Sequence, residues 1–254
     1  MRIVVVPSAA AVPAASALPI GPIAVIDTLR ATTTVAAALA AGAPWVEPVA
    51  SVAEARRRRA ARPNALLAGE RGGDRLPGFD LGNSPVAAAA LGGARGLILT
   101  TTNGTRACDR LVRAGAGGEE RPIYAAALVN AARAASALRR AAERPGCQAV
   151  ILVCAGQDGH AAAEDLLTAG AIAAALPAAW GRDDLALMAQ WAWERRPDGD
   201  LAHTLAACPH GRTLAAKGYG ADIVASARVD AFDVLPRLAL AADVPPRFVA
   251  APPA

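Results

Sequence analysis

The sequence predicts an α/β protein, on three observations. One pattern of aliphatic strand, polar turn and alanine-rich helix occurs three times, in segments 22–43, 96–116 and 149–176; such alternation builds a parallel sheet covered by helices. Each polar turn falls just past a strand's C-terminal end and at the next helix's N-terminus, where open α/β sheets bind ligands and helix dipoles favour anions. The 254 residues are 54% hydrophobic but only 4% aromatic, so the core must be built from Ala, Leu, Val and Ile. That length suits one large α/β domain or two small lobes. We expect a single unit over 1–254, with sub-lobes meeting near 120–150 and the site in the cleft between them.

The elements follow in order. Residues 1–27 are apolar after one arginine and imitate a secretion signal, but Pro7, Pro13, Pro19 and Pro22 interrupt any apolar helix, and IAVID reads as a core strand. A polar turn over 27–33 leads into a helix that stops at Gly42. VEPVAS at 46–51 is a second strand, and EARRRRAARP at 54–63 is a solvated helix face rather than a nucleic-acid patch. Segment 69–85, GERGGDRLPGFDLGNSP, has no periodicity and reads as a long functional loop. LIL at 97–99 is a buried strand, TTTNGT at 100–105 its polar turn, and the helix after it stops at Gly115. IYAAALVN at 123–130 is a further strand. AVILVC at 149–154 is another, followed by a glycine turn at 155–159 and a longer helix. Segment 201–220 is helical with His210, Gly211 and Arg212 exposed; 221–238 is a helix or strand followed by a loop; the tail is frayed strand or coil.

Charge and cysteine usage narrow the partners. The formal charge is +4, but the arginines are scattered and few aromatics interleave with them, so nucleic acid is a poor fit. Lys217 is the single lysine, so a phosphate site here must use guanidinium or backbone groups. Cys108, Cys147, Cys154 and Cys208 have no zinc-like spacing and read as reduced thiols of a cytoplasmic protein. No apolar stretch is suited to span a membrane.

The polar residues point to phosphoryl chemistry. Asp27 closes an aliphatic strand, so its carboxylate needs a partner such as a divalent cation, or it caps the following helix. Arg30 and Thr32 to Thr34 follow within a turn. Glu164 and Asp165 are adjacent on a helix, so they diverge by about 100° and only one can face a cleft squarely. Glu70, Arg71, Asp80 and Asn83 share the glycine-rich segment. In the turn at 100–105, strand alternation directs Thr100 and Thr102 to the cleft and Thr101 away, while Asn103, Gly104 and Thr105 offer the free N–H groups of a helix start to an oxyanion. Asp, Glu, Thr and Asn oxygens beside several arginines suit Mg²⁺ and a phosphate. His160 and His210, each beside a glycine, are general-acid candidates or surface and capping residues.

Five blocks carry a closer resemblance: DTLRATTT, GERGG…PGFDLGNSP, LTTTNGTRA, CAG…EDLLTAGAIAAAL and HGRTLAAKGYGADIVASARVDAFDVLP. In these blocks, running in order from Val25 to Pro236, the chain resembles the ComB family of 2-phosphosulfolactate phosphatases. The resemblance implies a three-layer α/β/α fold and a Mg²⁺-dependent phosphohydrolase that releases phosphate from 2-phospho-3-sulfolactate, toward coenzyme M, or from a related phosphorylated acid. Asp27, Arg30, Arg71, Glu164 and Asp165 are then the catalytic candidates. Asp27, Glu70, Glu164 and Asp165 are the expected metal ligands. Thr100, Thr102, Asn103, Gly104, Thr105, Asn83, Ser84 and Arg212 are the expected substrate contacts. The expected partner is a small phosphorylated acid, without nucleic acid or membrane, and a homodimer is compatible with the chain. Two other classes stay open. A haloacid-dehalogenase-type phosphatase is imitated by Asp27 and Thr100, although Leu29 stands where its second aspartate would be and Lys217 falls late. A non-catalytic phosphate-metabolite binding module is the other, with several carboxylates arguing against it.

Overall fold

A computed structural model describes residues 1–14, 17–93, 95–197, 199–242 and 244–252. In it, β2 (Ile23–Ile26) lies between β7 (Ile123–Ala126) and β8 (Ala149–Cys154), parallel to both, and β8 continues to β1 (Arg2–Val6) and the two-residue β9 (Gly181–Arg182). A second parallel block consists of β4 (Leu66–Arg71), β6 (Leu97–Thr100) and β3 (Val46–Pro48), with β5 (Asp74–Arg75) folded back on β4. The C-terminal hairpin of β10 (Pro236–Ala241) and β11 (Val244–Ala250) joins the two blocks into one sheet.

Strand alternation explains the layers. Ala24 and Ile26 of β2, with Val150 and Leu152 of β8, pack on one face against Ala134 and Leu138 of α5 (Ala131–Ala142) and Ile172 of α6 (Ala163–Ala175). Ile23 and Val25, with Ile151 and Val153, pack on the other face against Val35 and Leu39 of α1 (Ala31–Ala40) and Leu111 of α4 (Gly104–Arg113). A strand buried on both faces reads as a continuous aliphatic run, which is how β2 and β8 read in the sequence. The architecture is the expected α/β/α sandwich of layers.

The hairpin does more than join. Three antiparallel pairings separate β3 from β7, so the two parallel blocks run in opposite senses along the ladder. Each junction holds a single register pair, Arg237 with Tyr124 and Phe248 with Val46. The C-terminal ends of β2, β4 and β6 nevertheless meet at one place: the Thr102 N–H donates to Glu70 Oε1 at 2.8 Å, and Arg30 reaches the Gly73 carbonyl at 2.7 Å.

Several elements differ from expectation, each for a visible reason. The strand at 123–130 ends at Ala126, because Asn130 Oδ1 accepts from the Ala127 N–H at 2.9 Å and winds 128–130 into a 3₁₀ turn. The strand at 46–51 stops at Pro48, and Ser51 accepts from the Glu54 N–H as the N-cap of α2 (Val52–Ala61). Segment 69–85 is not all loop: it begins in β4, turns into β5, and returns to β4 through Leu81, which bonds both Leu67 and Gly69. Its last residues lead into the short helix α3 (Pro85–Ala89), capped by Ser84. Of the two forms expected of the tail, strand or coil, the strand is found, paired in the hairpin; Pro245 and Pro246 fit because they fall at the register shift between β10 and β11. The N-terminal β1 lies within the stretch that had imitated a secretion signal.

The remaining helices are α7 (Asp184–Glu194), α8 (Leu201–Ala207), α9 (Pro209–Ala216) and α10 (Gly220–Ser226). The last two carry residues into the site. No described helix is long and apolar enough to cross a membrane.

Candidate active site

The convergence of strand ends creates a cavity of about 130 Å³ lined by Asp27, Arg30, Glu70, Asn83, Thr102 and Asn103, with Gly72, Gly73, Gln157, Asp158, His210 and Thr213. Each wall has a local cause.

Asp27 ends β2 and is 7% exposed. Its Oδ1 accepts from the Ala31 N–H at 3.0 Å, the first residue of α1, and the Gly104 N–H at the start of α4 is also directed to the carboxylate. Two helix N-termini therefore aim at one acid. Burial nevertheless raises its pKa to about 6, opposed by those N–H groups and reinforced by the nearby Glu70. The capping role and the cavity position coexist.

Gly104 has an ordinary backbone conformation, and its reason is space. A Cβ there would stand 2.6 Å from Asp27 Oδ2 and 2.8 Å from the Ala31 methyl. The missing side chain therefore makes room for the Asp27 carboxylate and the Ala31 methyl. Thr105 turns inward too, its N–H donating to Thr101 Oγ1 and its hydroxyl to the Thr101 carbonyl. Of this turn, Thr102 and Asn103 reach the cavity. Thr100 is buried and accepts from Arg71 instead.

Arg30 is 2% exposed yet lines the cavity. Its Nη1 bonds Asp222 Oδ2 on α10 at 2.7 Å, its Nη2 the Gly73 carbonyl, and its plane stacks on Tyr219 at 4.3 Å from the ring centre. The peptide before it, Leu29–Arg30, is cis. Ser84 donates to the other Asp222 oxygen at 2.5 Å, so Ser84 acts through Asp222 rather than from the cavity wall. Asp222 and Tyr219 were not anticipated; a lone acid in ADIVAS carries no sequence signal for a partner 192 positions away.

Glu70 accepts from the Thr102 N–H and, through its other oxygen, from the Gly73 N–H, both at 2.8 Å. Arg71 points away, to the Thr100 carbonyl and hydroxyl, and does not line the cavity. Desolvation lowers its pKa. Arg212 is exposed on α9 and bonds the Ala207 carbonyl, also outside the cavity. Asp80 fixes the loop by accepting from the Leu67 N–H.

Glu164 and Asp165 lie behind the wall. Asp165 accepts from the Thr28 N–H at 2.8 Å and the Gly156 N–H at 3.0 Å, pinning α6 to the turns after β2 and β8. Gly156 is required there: its φ is +69°, and a Cβ would stand 2.2 Å from the His160 carbonyl oxygen. Burial, then Asp27 and Glu164, pushes the Asp165 pKa well up. Burial also raises Glu164, opposed by its own backbone N–H and by His210. Burial lowers His210, with Glu164 pulling the other way.

Three lining residues hold buried polar atoms with no hydrogen-bond partner among the described residues: Asn83 Oδ1, Thr102 Oγ1 and His210 Nδ1. Orphaned polar atoms are costly, and their gathering at one cavity calls for a polar occupant. Asp27 and Glu70 with Asn83 Oδ1 and Thr102 Oγ1 form an oxygen set of the kind a hard cation takes, with substrate and water completing it. Glu164 and Asp165 do not join that set, and among the described residues no three His, Cys, Asp or Glu side chains are grouped to hold a metal by themselves.

Comparisons with known proteins agree on the family. The profile of the family described as 2-phosphosulpholactate phosphatase matches residues 12–240. A protein of Deinococcus radiodurans named "Probable 2-phosphosulfolactate phosphatase" is 41% identical over 225 residues, covering 87% of this chain and 89% of its own. Proteins of the same name from Pseudothermotoga lettingae and Synechococcus sp. (strain RCC307) are 37% and 40% identical, over 84% and 83% of this chain and 87% and 86% of theirs. The haloacid-dehalogenase and non-catalytic readings are set aside by these matches. The chain belongs to the 2-phosphosulfolactate phosphatase family, whose members are phosphoric monoester hydrolases.

Proposed function

We propose that the enzyme hydrolyses 2-phospho-3-sulfolactate to 3-sulfolactate and inorganic phosphate with Mg²⁺, in the cytoplasm and on the route to coenzyme M. The carrying observation is the identity of 37–41% to relatives of that name across most of both chains. The cavity supports it with three carboxylates (Asp27, Glu70 and Asp158), one guanidinium and three orphaned polar atoms around a space for an oxyanion.

Asp27 and Glu70, with Asn83 and Thr102, would hold the cation, which when bound would supply charge neutralisation to the phosphoryl oxygens. Asp222 and the Gly73 carbonyl fix the Arg30 guanidinium, so it meets the substrate without reorganising. Hydrolysis joins a water oxygen to phosphorus and breaks the bond to the substrate's C2 oxygen, which must gain a proton. His210, whose unpartnered ring nitrogen lines the cavity, would take a proton from the attacking water and pass it to that oxygen. Phosphate release from 2-phospho-3-sulfolactate, measured beside 2-phospholactate, tests the substrate. A kcat/KM at least about tenfold higher for the sulfonate supports it, about 1.4 kcal/mol of added transition-state binding; equal values would remove the sulfonate from the assignment.

A further inference from the structure

A second groove, of about 240 Å³, shares no lining residue with the active-site cavity. Its floor holds Tyr124 of β7 and Arg237 of β10, which are register partners across an antiparallel pair and so project to the same face. Its wall is one stripe of α5 and its exit, where Arg133, Arg140 and Arg144 recur at helical spacing. Ala137 and Ala141 lie between those arginines, and their small side chains leave the hollow.

Four guanidinium groups thus surround one small space, and the described residues do little to neutralise them. Asp233 approaches Arg133 at 3.4 Å and Glu119 approaches Arg144 at 3.6 Å, but these acids are 90% and 83% exposed, so water screens both pairs. Arg140 bonds Ser136, and among the described residues neither Arg140 nor Arg237 has a carboxylate partner. The helix dipole accounts for arginines near the C-terminal end of α5. It does not account for Arg133, which sits in the first turn where the dipole repels a cation, or for Arg237 on a strand. Converging like charges raise the free energy of the empty groove, and an oxyanion reverses that cost through forked hydrogen bonds.

We propose that this groove is a binding site for a small metabolite carrying at least two oxyanion groups, separate from the site of hydrolysis. The volume favours a compact ligand, being below the roughly 300–1,000 Å³ of pockets for drug-sized molecules. The short length of the arginine stripe, and one tyrosine rather than a row of aromatics, favour a metabolite over a nucleic acid.

The test is titration calorimetry of inorganic pyrophosphate and, separately, citrate into the intact protein and into Arg140→Gln/Arg237→Gln. Wild type should show a class of sites that the double variant loses or binds at least tenfold more weakly, with kcat/KM at low anion concentration unchanged. Tighter pyrophosphate than citrate binding identifies a phosphate ligand, and the reverse a polycarboxylate. Because both arginines retain solvent access, the variant should fold, melting at or above the wild-type temperature without anion as repulsion is relieved. Identical titrations of the two proteins, no binding by wild type, or tighter binding of a single-stranded oligonucleotide than of either small anion would overturn the proposal.

Discussion

Asp27 is held in a way that is unfavourable for stability and favourable for binding a cation. Its pKa is about 6 when folded, against an ordinary value of 3.8. The folded state therefore binds the proton more tightly than the unfolded chain, so the stabilisation is present at low pH and is lost as pH rises through 3.8 to about 6. By pH 8 the ionised carboxylate costs on the order of 3 kcal/mol. Asp27→Asn without metal should accordingly gain stability in urea unfolding at pH 8 and gain less at pH 5; an equal change at both values would show that the carboxylate is not electrostatically stressed. Arg30→Lys keeps the charge but loses the fork between Asp222 and Gly73 and the stacking on Tyr219. We expect kcat/KM to fall at least about tenfold. Arg71→Lys should perturb KM and kcat less, because Arg71 serves Thr100 outside the cavity. Steady-state kinetics of the pair checks the order, and a larger loss at Arg71 would reverse these assignments.

At the scale of elements, the site depends on the close fit of helix starts and on the hairpin that joins the two parallel blocks. Gly104→Ala would place a methyl against Asp27 and Ala31, and overpacking of this kind costs about 1–3 kcal/mol. Ala31→Gly should restore part of that loss, since it removes one of the two clashing partners. Thermal melting of the single and double variants decides, and no recovery would mean that the packing against α1 is not the cause. The hairpin is pinned at the other block by Glu47, fully buried, which bonds Arg62 and lies 3.2 Å from both Arg58 and Arg247. Arg247 also stacks on Trp45 at 4.3 Å. Glu47→Ala leaves three guanidinium groups facing one another and should destabilise by roughly 3 kcal/mol, the usual cost of breaking a buried pair from one side. Denaturant unfolding measures it; a change below about 0.5 kcal/mol, typical of surface substitutions, would make the cluster incidental.

For the whole molecule, the strand, turn and helix repeats were legible because their signals are local: aliphatic runs for β2, β6 and β8, and polar turns directly after them. So was the collection of Asp27, Arg30, Glu70, Asn83, Thr102 and Asn103, all in those turns or in the glycine-rich segment. What sequence concealed depends on pairing across distance. Asp222 reaches Arg30, Asp165 turns to backbone N–H groups instead of the cavity, and the 236–250 hairpin joins the two parallel blocks through two single register pairs. Nothing in RLAL or RFVA states which strands they will join. Arg71 and Arg212 show the complementary limit, because position beside an acid or in a helix start does not fix where a long side chain turns. The account rests on Asp27 and the cation it would hold beside Arg30. Its most direct test is phosphate release from 2-phospho-3-sulfolactate as Mg²⁺ is titrated into chelator-treated enzyme, for wild type and Asp27→Asn. We expect saturable dependence on Mg²⁺ in wild type and at least a thousandfold lower rate in Asp27→Asn, about 4 kcal/mol of lost transition-state stabilisation; full activity without divalent metal, or a wild-type rate in the variant, would contradict it.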